Sequence, residues 1–351
     1  MSDKIYRAAV VGLSGIGMRR PIVESGAVLG TPTPHSHVGA YSILPQTELV
    51  AVCDIKTDLL DQFKKDWGDV FPNTHTYTNY REMIDKENLD IINVATPDDR
   101  HKDVVIDASN SGIKGIVCEK PMSTTVADCD QMIEVCKSNG SLLSVDHTRR
   151  WWPSFQAAQQ AIREGVIGEV KRIVGHWGGP RAMLFRNGTH LIDGVCFFAN
   201  SDPQWIFAEL DDGFENYFTY QAAGGRDPSL DPGASGYIHF KNGVRAFVNC
   251  SKGQNPGVRY EIIGETGSIE HDGDTVTIRR PVGISERLPQ KQYAITGIPA
   301  IVAELIRVIE HGGELICPGR EGKKVVEILV AFLKSQELGN ARVDLPIATG
   351  R

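Results

Sequence analysis

The residue types best suited to chemistry fall where short apolar runs end. Gly12-Leu13-Ser14-Gly15-Ile16-Gly17 follows Ile5–Val11, and Asp54 follows Glu48–Cys53. Thr96-Pro97 with His101 follows Asp90–Ala95, Glu119-Lys120-Pro121 follows Gly115–Cys118, and Asp146-His147 follows Ser141–Val145. A G-x-G-x-x-G run after a strand wraps a dinucleotide pyrophosphate. Its first glycine makes the tight turn, its second admits the phosphates to the backbone, and its third lets a helix pack on the strand. Here Gly12 and Gly17 hold the outer positions, Ser14 the middle one, and Gly15 is displaced by one. Serine is small enough for that approach, and its hydroxyl can donate a hydrogen bond. Met18-Arg19-Arg20 is expected to start the helix. Asp54 is placed to accept hydrogen bonds from ribose hydroxyls and would repel a 2′-phosphate, so NAD is expected over NADP. An unliganded glycine-rich turn and a plain strand-end aspartate are the alternative readings. Asp54 stands 37 positions after Gly17, against about 20 in the usual spacing. Pro21–Pro34 is the extra material, expected as a loop near the pyrophosphate or the mouth of the site.

The elements carrying these residues alternate. The five runs are rich in Val and Ile, as strands buried on both faces are. Between them, Asp58–Trp67, Tyr80–Lys86, His101–Ser111 and Thr125–Asn139 read as helices; in the last, Val126, Cys129, Met132, Ile133 and Cys136 mark one apolar face. This alternation predicts an α/β domain with a doubly wound parallel sheet, whose carboxyl edge gathers all five strand ends into one crevice. The second half changes character. Val170–Gly178, Trp205–Leu210, Tyr217–Gln221, Tyr237–Phe240, Arg245–Asn249, Arg259–Gly264 and Gly267–Glu270 read as strands, and Asn242-Gly243 and Asp272-Gly273 as hairpin turns. With helices over Thr189–Ala199, Pro299–His311 and Glu321–Glu337, they predict an α+β domain with an open, largely antiparallel sheet. The expected domains are residues 1–148 and 149–351, with a C-terminal helix packing back on the first.

Composition narrows the class. The 351 residues are 41% hydrophobic and 23% charged with a net charge of −7, which suits a globular protein of about two domains and argues against a nucleic-acid partner. No apolar run approaches the ~20 residues needed to cross a bilayer. The start, Met1-Ser2-Asp3-Lys4, leads into a strand pattern without a signal-peptide profile. Seven scattered cysteines without C-x-x-C are expected as free thiols in a reducing cytoplasm. His35-Ser36-His37 has metal-ligand spacing but reads as surface loop, with no further ligand nearby, so no metal is expected.

Together the fingerprint, Glu48–Asp54, Ala95-Thr96-Pro97 with His101, Glu119-Lys120-Pro121, Arg149-Arg150-Trp151-Trp152-Pro153, and Gly188-Thr189-His190 with Asp193 resemble the glucose–fructose oxidoreductase/inositol dehydrogenase/MocA-like family over nearly the whole chain. The resemblance implies a Rossmann domain, a C-terminal sheet that makes homodimers or homotetramers, and NAD(P)-linked oxidation of a sugar or cyclic polyol. It places Lys120 beside the nicotinamide and His190 across the substrate, and implies a cis Lys–Pro peptide. Cofactor contacts are expected from Gly12, Ser14, Gly15, Ile16, Gly17, Asp54, Thr96, Pro97, His101, Glu119 and Lys120. Substrate contacts are expected from Lys120, His147, Arg149, Trp152, Trp177, Arg186, His190 and Asp193.

Alcohol oxidation needs a group to take the hydroxyl proton while hydride leaves. Lys120, with an ordinary pKa of ~10.4, would be brought toward working pH by burial and a positive ring, while Glu119 would pull the other way. His190, at a helix start that Thr189 could cap, suits acid–base work with an ordinary pKa of ~6.5. Asp193, one turn on, could orient its ring or line the dinucleotide site. Many relatives carry Asp four positions before this histidine; here that residue is Arg186, which cannot act as a base but can hold an oxyanion. The exchange makes a rival reading credible, a lyase or glycosidase that oxidises transiently with retained NAD; a non-catalytic NAD-binding sensor is a third reading, from another class.

Overall fold

The computed structural model describes residues 4–20, 34–222, 227–253, 257–283, 285–289 and 295–347. It divides into two units: Met1–Ser123 with Asp128–Thr148 and Ala294–Arg320, and Thr124–Ala127 with Arg149–Tyr293 and Glu321–Arg351.

In the first unit the chain runs β1 (Tyr6–Val11), α1 (His37–Tyr41), β2 (Thr47–Cys53), α2 (Thr57–Trp67), β3 (His75–Tyr77), α3 (Tyr80–Glu87), β4 (Ile91–Val94), α4 (His101–Asn110), β5 (Gly115–Cys118), α5 (Val126–Asn139) and β6 (Leu142–Val145). The six strands are parallel, in the order β3-β2-β1-β4-β5-β6. Strand order reverses between β1 and β4, and ligands bind such a sheet at the carboxyl side of that point. β4 and β5 are strands because each is a short apolar run buried along its whole length. α2 buries Leu60, Phe63 and Trp67, three and four positions apart, and leaves its charged residues in water. The late helix Gly297–His311 (α8 below) also belongs here; a Cβ on Gly115 of β5 would meet its Leu305 at 2.6 Å. Three-residue β3, lacking an apolar run, has no counterpart in the sequence reading.

The second unit holds α6 (Pro153–Arg163), β7 (Val170–Gly178), α7 (Gly188–Ala199), β8 (Pro203–Leu210), β9 (Ala234–Phe240), β10 (Arg245–Ser251), β11 (Gly257–Gly264), β12 (Ser268–His271), β13 (Val276–Arg279) and β14 (Glu286–Arg287). After α8 of the first unit come α9 (Gly319–Glu337), most of which lies in the second unit, and β15 (Val343–Asp344). The nine strands order as β14-β13-β12-β11-β7-β10-β9-β8-β15, antiparallel apart from the β7–β10 pair. Burial alternates along β8, with Ile206, Ala208 and Leu210 inside and Phe207 outside, as in a sheet covered on one face. α7 and α9 lie close on the inner face: a Cβ on Gly236 would meet Phe332 at 2.5 Å, and one on Gly175 would press on Leu191 at 3.1 Å.

Two elements depart from the sequence reading. Tyr217–Gln221 is irregular rather than a strand. Its aromatic alternation reflects Tyr217 and Tyr220 reaching into the core from a loop, Tyr220 stacked on Phe185 at 3.9 Å between centroids. α6 was not anticipated, although Pro153 in its first turn and buried Phe155, Ala158, Gln159 and Ala161 at helical spacing are a legible signal. All seven cysteines are buried, and none forms a disulfide. Among the described residues, no helix is long and apolar enough to cross a membrane.

Candidate active site

The carboxyl edge of the first unit's sheet is shaped by backbone that tolerates no side chain. Gly12 has φ +92°, and a Cβ there would lie 2.4 Å from the Ala95 carbonyl oxygen. A Cβ on Gly17 would lie 2.1 Å from the Gly12 oxygen. Gly15, at φ +48°, has open space where a Cβ would point. The expected helix at Met18-Arg19-Arg20 does not form. Residues 14–18 make a turn instead, with Gly17 N–H donating to Ser14 O at 2.9 Å. The helix is α1, whose His37 and Val38 amides donate to the Ile16 and Gly17 carbonyls at 3.0 and 2.9 Å. Ser36 caps it by accepting from the Gly39 amide at 3.1 Å and ties it back through a bond to Arg19 O. The excursion thus sits inside the usual strand–turn–helix passage, which explains the long count to Asp54. Apart from Pro34, the segment read as a loop over Pro21–Pro34 lies outside the described residues.

Asp54 is half-buried at the end of β2 and binds the turn itself. Its Oδ2 accepts from Leu13 N at 2.8 Å and its Oδ1 from Lys56 N at 2.9 Å. Across the switch point, Thr96 Oγ1 is buried without a hydrogen-bond partner among the described residues. An orphaned buried hydroxyl costs about 1–3 kcal/mol unless a ligand satisfies it. The glycine cradle, the open side of Gly15, this hydroxyl and a carboxylate with spare lone pairs fit a dinucleotide. His101 is fully buried and bridges two turns, with Nε2 2.9 Å from Thr96 O and Nδ1 3.1 Å from Pro121 O. It braces the edge from behind. Pro97 and Ile16 are exposed on the same edge.

Lys120 follows β5, half-buried, on a cis Lys120–Pro121 peptide. Its amide donates to Glu119 Oε2 at 3.1 Å. Glu119 Oε1 lies 3.1 Å from His37 Nε2, which is also 3.7 Å from Asp146 Oδ2. Behind the ring, Asn93 Nδ2 is 2.9 Å from His37 Nδ1, and Tyr41 Oη donates to Asn93 Oδ1 at 2.7 Å. The surface-loop reading of His35-Ser36-His37 therefore holds for exposed His35 but not for His37, which is fully buried because two distant carboxylates receive it. Burial, then the Glu119 charge, push Asp146 up to about 7. Burial alone would raise Glu119, but the His37 hydrogen bond and the Lys120 charge outweigh it and hold that carboxyl well below its ordinary range. His147 is fully buried against Cys317, Nδ1 to Sγ 3.6 Å.

In the second unit, Arg149, Trp152, Trp177 and His190 form one cluster. The Arg149 guanidinium carbon lies 4.3 Å from the Trp177 ring centroid and 5.1 Å from that of Trp152. Trp177 stacks on His190 at 6.2 Å and 19°. Arg149 Nε is buried without a hydrogen-bond partner among the described residues, and burial lowers the guanidinium's pKa from its ordinary value. A buried cation framed by aromatic faces suits an oxygen-rich ligand. His190 sits in the first turn of α7, its carbonyl held by Tyr260 Oη at 3.2 Å. That reach needs Gly194, where a Cβ would lie 2.4 Å from the same hydroxyl. Asn187, not Thr189, occupies the cap position, and Thr189 is buried inside the helix. Arg186 is half-buried in the preceding turn, its amide donating to Asp231 at 3.3 Å.

Asp193 is buried and receives Arg150 on both oxygens, at 3.0 and 3.1 Å. Arg150 also reaches Glu321 at 3.1 Å. Sequence reasoning named Asp146 and Arg150 only within their motifs and read His37 as surface loop, so it gave none of the three a supporting role. Only their position beside strand-end motifs hinted at them, since their partners are remote in sequence.

A profile described as "Oxidoreductase family, NAD-binding Rossmann fold" matches residues 7–147, and one described as "GFO/IDH/MocA C-terminal domain" matches residues 155–270. The D-apiose dehydrogenase of Paraburkholderia graminis is 26% identical over 342 residues, covering 89% of this chain and 88% of that protein. Inositol 2-dehydrogenase of Salmonella typhimurium is 27% identical over 244 residues, 64% of this chain and 66% of the other. Among solved structures, aldose–aldose oxidoreductase from Caulobacter crescentus superposes with a TM-score of 0.80 at 20% identity, covering 97% of this chain and 100% of that one.

Proposed function

The chain belongs to the Gfo/Idh/MocA oxidoreductase family, and from that premise we propose that it is an NAD-dependent dehydrogenase of a sugar or cyclic polyol. The observation that carries the reading is the unsatisfied Thr96 hydroxyl beside the glycine cradle, on the sheet edge that also bears Lys120. When bound, the nicotinamide supplies the hydride acceptor. Gly12, Ser14, Gly15, Ile16 and Gly17 would hold the pyrophosphate; Asp54 would face the ribose and disfavour a 2′-phosphate. Thr96 and Pro97 would line the cofactor edge, with His101 and Glu119 fixing its turns. Lys120 holds the reacting oxygen and exchanges its proton, and His190 is the second proton-handling group. Arg149, Trp152 and Trp177 offer a cation and two flat apolar faces to a polyhydroxylated ring. Arg186 fixes a substrate oxygen from the turn before α7. His147 and Asp193 support the substrate side by packing rather than contact. The relatives named as sugar and polyol dehydrogenases support net hydride transfer over the lyase and sensor readings.

The experiment is a panel of aldoses, ketoses, inositols and glycosides with NAD⁺ and NADP⁺, read at the reduced-nicotinamide absorbance. One substrate class should give turnover with NAD⁺ preferred at least about tenfold, the effect of about 1.4 kcal/mol of charge repulsion. Bond cleavage without net cofactor reduction, or no turnover across the panel, defeats the reading.

The outer face of the second sheet supports self-association. Phe207 and Phe247 are 42% and 46% exposed there, with Trp205 and Tyr237 packed beside them. A contiguous aromatic patch on a sheet face marks an interface. Light scattering should report a dimer or tetramer, and Phe207→Lys with Phe247→Lys should convert it to monomer.

A further inference from the structure

We propose that His37 and Asp146 are positioning residues for the Lys120 amine, acting through Glu119: the buried triad holds one shared proton, and its loss places a second negative charge behind the Glu119-Lys120-Pro121 turn. The inference rests on the reading of Lys120 as the proton-handling residue.

The geometry makes the triad a device rather than filler. His37, Glu119 and Asp146 come from three places remote in sequence, α1 and the ends of β5 and β6, and their ligand-capable atoms lie within 4.8 Å of one another. All three are buried, and Asp146 Oδ2 has no hydrogen-bond partner among the described residues. Two carboxylates in such contact cannot both stay charged in a low-dielectric interior, so one keeps a proton or a cation sits between them. The hydrogen bonds favour the proton. Tyr41 donates to Asn93 Oδ1, which turns the Asn93 amide nitrogen toward His37 Nδ1. The proton of His37 then lies on Nε2, aimed at Glu119, where it blocks metal ligation by that nitrogen. Glu119 also takes the Lys120 amide, so the carboxylate that anchors the turn is itself anchored by α1. Thr148 Oγ1 donates to Asp146 Oδ1 at 2.8 Å, fixing the third member. Among the described titratable groups outside the triad, Lys120 from the same turn supplies the charge that acts on it; Cys118 at the end of β5 and Tyr41 of α1, which reaches His37 through Asn93, are both held protonated by burial.

Asp146, pushed up to about 7, carries the proton below neutrality and releases it above. The added charge raises the proton affinity of the Lys120 amine. Trace acetylation of the purified full chain with acetic anhydride, quantified on the Lys120 peptide against exposed Lys56 across pH, reads that amine without any substrate. The wild-type curve should flatten above neutral pH. Asp146→Asn, close in shape, should match it near pH 6 and react about threefold to tenfold faster near pH 8.5. His37→Leu removes the Nε2–H that stands 3.7 Å from Asp146 Oδ2 and favours its carboxylate, so the flattening should move to higher pH; His37→Gln, whose amide can donate to Glu119, should restore it. Unaltered Lys120 curves in Asp146→Asn protein that melts and binds NAD⁺ like wild type overturn the proposal, whatever happens to His37→Leu. So does a stoichiometric metal in the purified protein that Asp146→Asn abolishes. Failure of the sugar panel would remove the dehydrogenase reading but leave the acetylation result standing, so the two are separable.

Discussion

Lys120→Ala is expected to lower kcat/KM for the preferred sugar or polyol by about 10²–10⁴-fold, the range supplied by one positioned proton-transfer group. The dissociation constant for NAD⁺ should move by no more than a few-fold. The asymmetry follows from where the groups stand. The proposed pyrophosphate cradle is the turn of Gly12, Gly15 and Gly17, which Asp54 ties through the Leu13 amide, at a different strand end from Lys120. The turn carrying Lys120 is held from behind by Glu119 and by His101 on Pro121 O, so it keeps its shape when the amine is removed. Lys120→Arg sharpens the test. It restores a cation that can hold the substrate oxygen, but a guanidinium does not take up the proton at working pH. If Arg recovers most of the rate, Lys120 acts by charge alone; if it stays as slow as Ala, proton exchange is the role. Steady-state reduction of NAD⁺ with fluorescence titration of NAD⁺ binding separates the two quantities. Loss of NAD⁺ affinity parallel to loss of rate would instead make Lys120 a cofactor-binding residue.

The frame around this residue was legible because its signals are local. Apolar runs four to seven residues long, each ended by a polar or glycine-rich turn, imply a parallel sheet, and a parallel sheet puts those turns on one edge. Burial pattern and strand order carry that reading through β1, β2, β4, β5 and β6. What the sequence hides is set by partners far along the chain. His37 looks like a loop histidine until Glu119, 82 positions later, is folded against it. α1 has five residues, too few for helical periodicity to show, and it follows a stretch with no pattern of its own. Asp193 invited a role beside His190 because only their spacing of three was visible. Its partner Arg150 is 43 positions earlier. The aromatic run at Tyr217–Gln221 mimics a strand because loop residues that anchor in a core alternate much as strand residues do. In each case the group that decides the residue's role lies outside the segment that was read.

Arg150→Met is expected to destabilise the second unit by about 3–5 kcal/mol, the cost of breaking a buried ion pair by removing one partner. Arg150 is 2% exposed and Asp193 1%. The guanidinium bonds Asp193 through Nε and Nη2, the latter at 2.8 Å, and also reaches Glu321 at the start of α9. Lys324, one turn along α9, pairs with Glu321 at 3.0 Å and with Asp202 at 3.2 Å. One connected ion network therefore clamps the short turn that carries Arg149, the helix α7 that carries His190, and the helix that covers the sheet. Removing Arg150 leaves the Asp193 carboxylate buried with neither of its guanidinium bonds. Replacing Arg150 and Asp193 together by Met and Leu should recover much of the loss, because the desolvation penalty disappears with the charges. Acid dependence gives an independent sign. Burial would raise the Glu321 pKa, but Arg150 and Lys324 hold it below its ordinary value. Its contribution is therefore complete above the ordinary glutamate range and is lost as pH falls through the lowered folded value. Wild type should lose stability steeply in that acid window, and Arg150→Met should lose less there because the pairing is already gone. Urea unfolding followed by tryptophan fluorescence reports the right unit, since Trp151, Trp152, Trp177 and Trp205 lie in it and only Trp67 does not. Parallel acid slopes in the two proteins would mean that Glu321 draws its stabilisation from Lys324, and that Arg150 serves Asp193 alone.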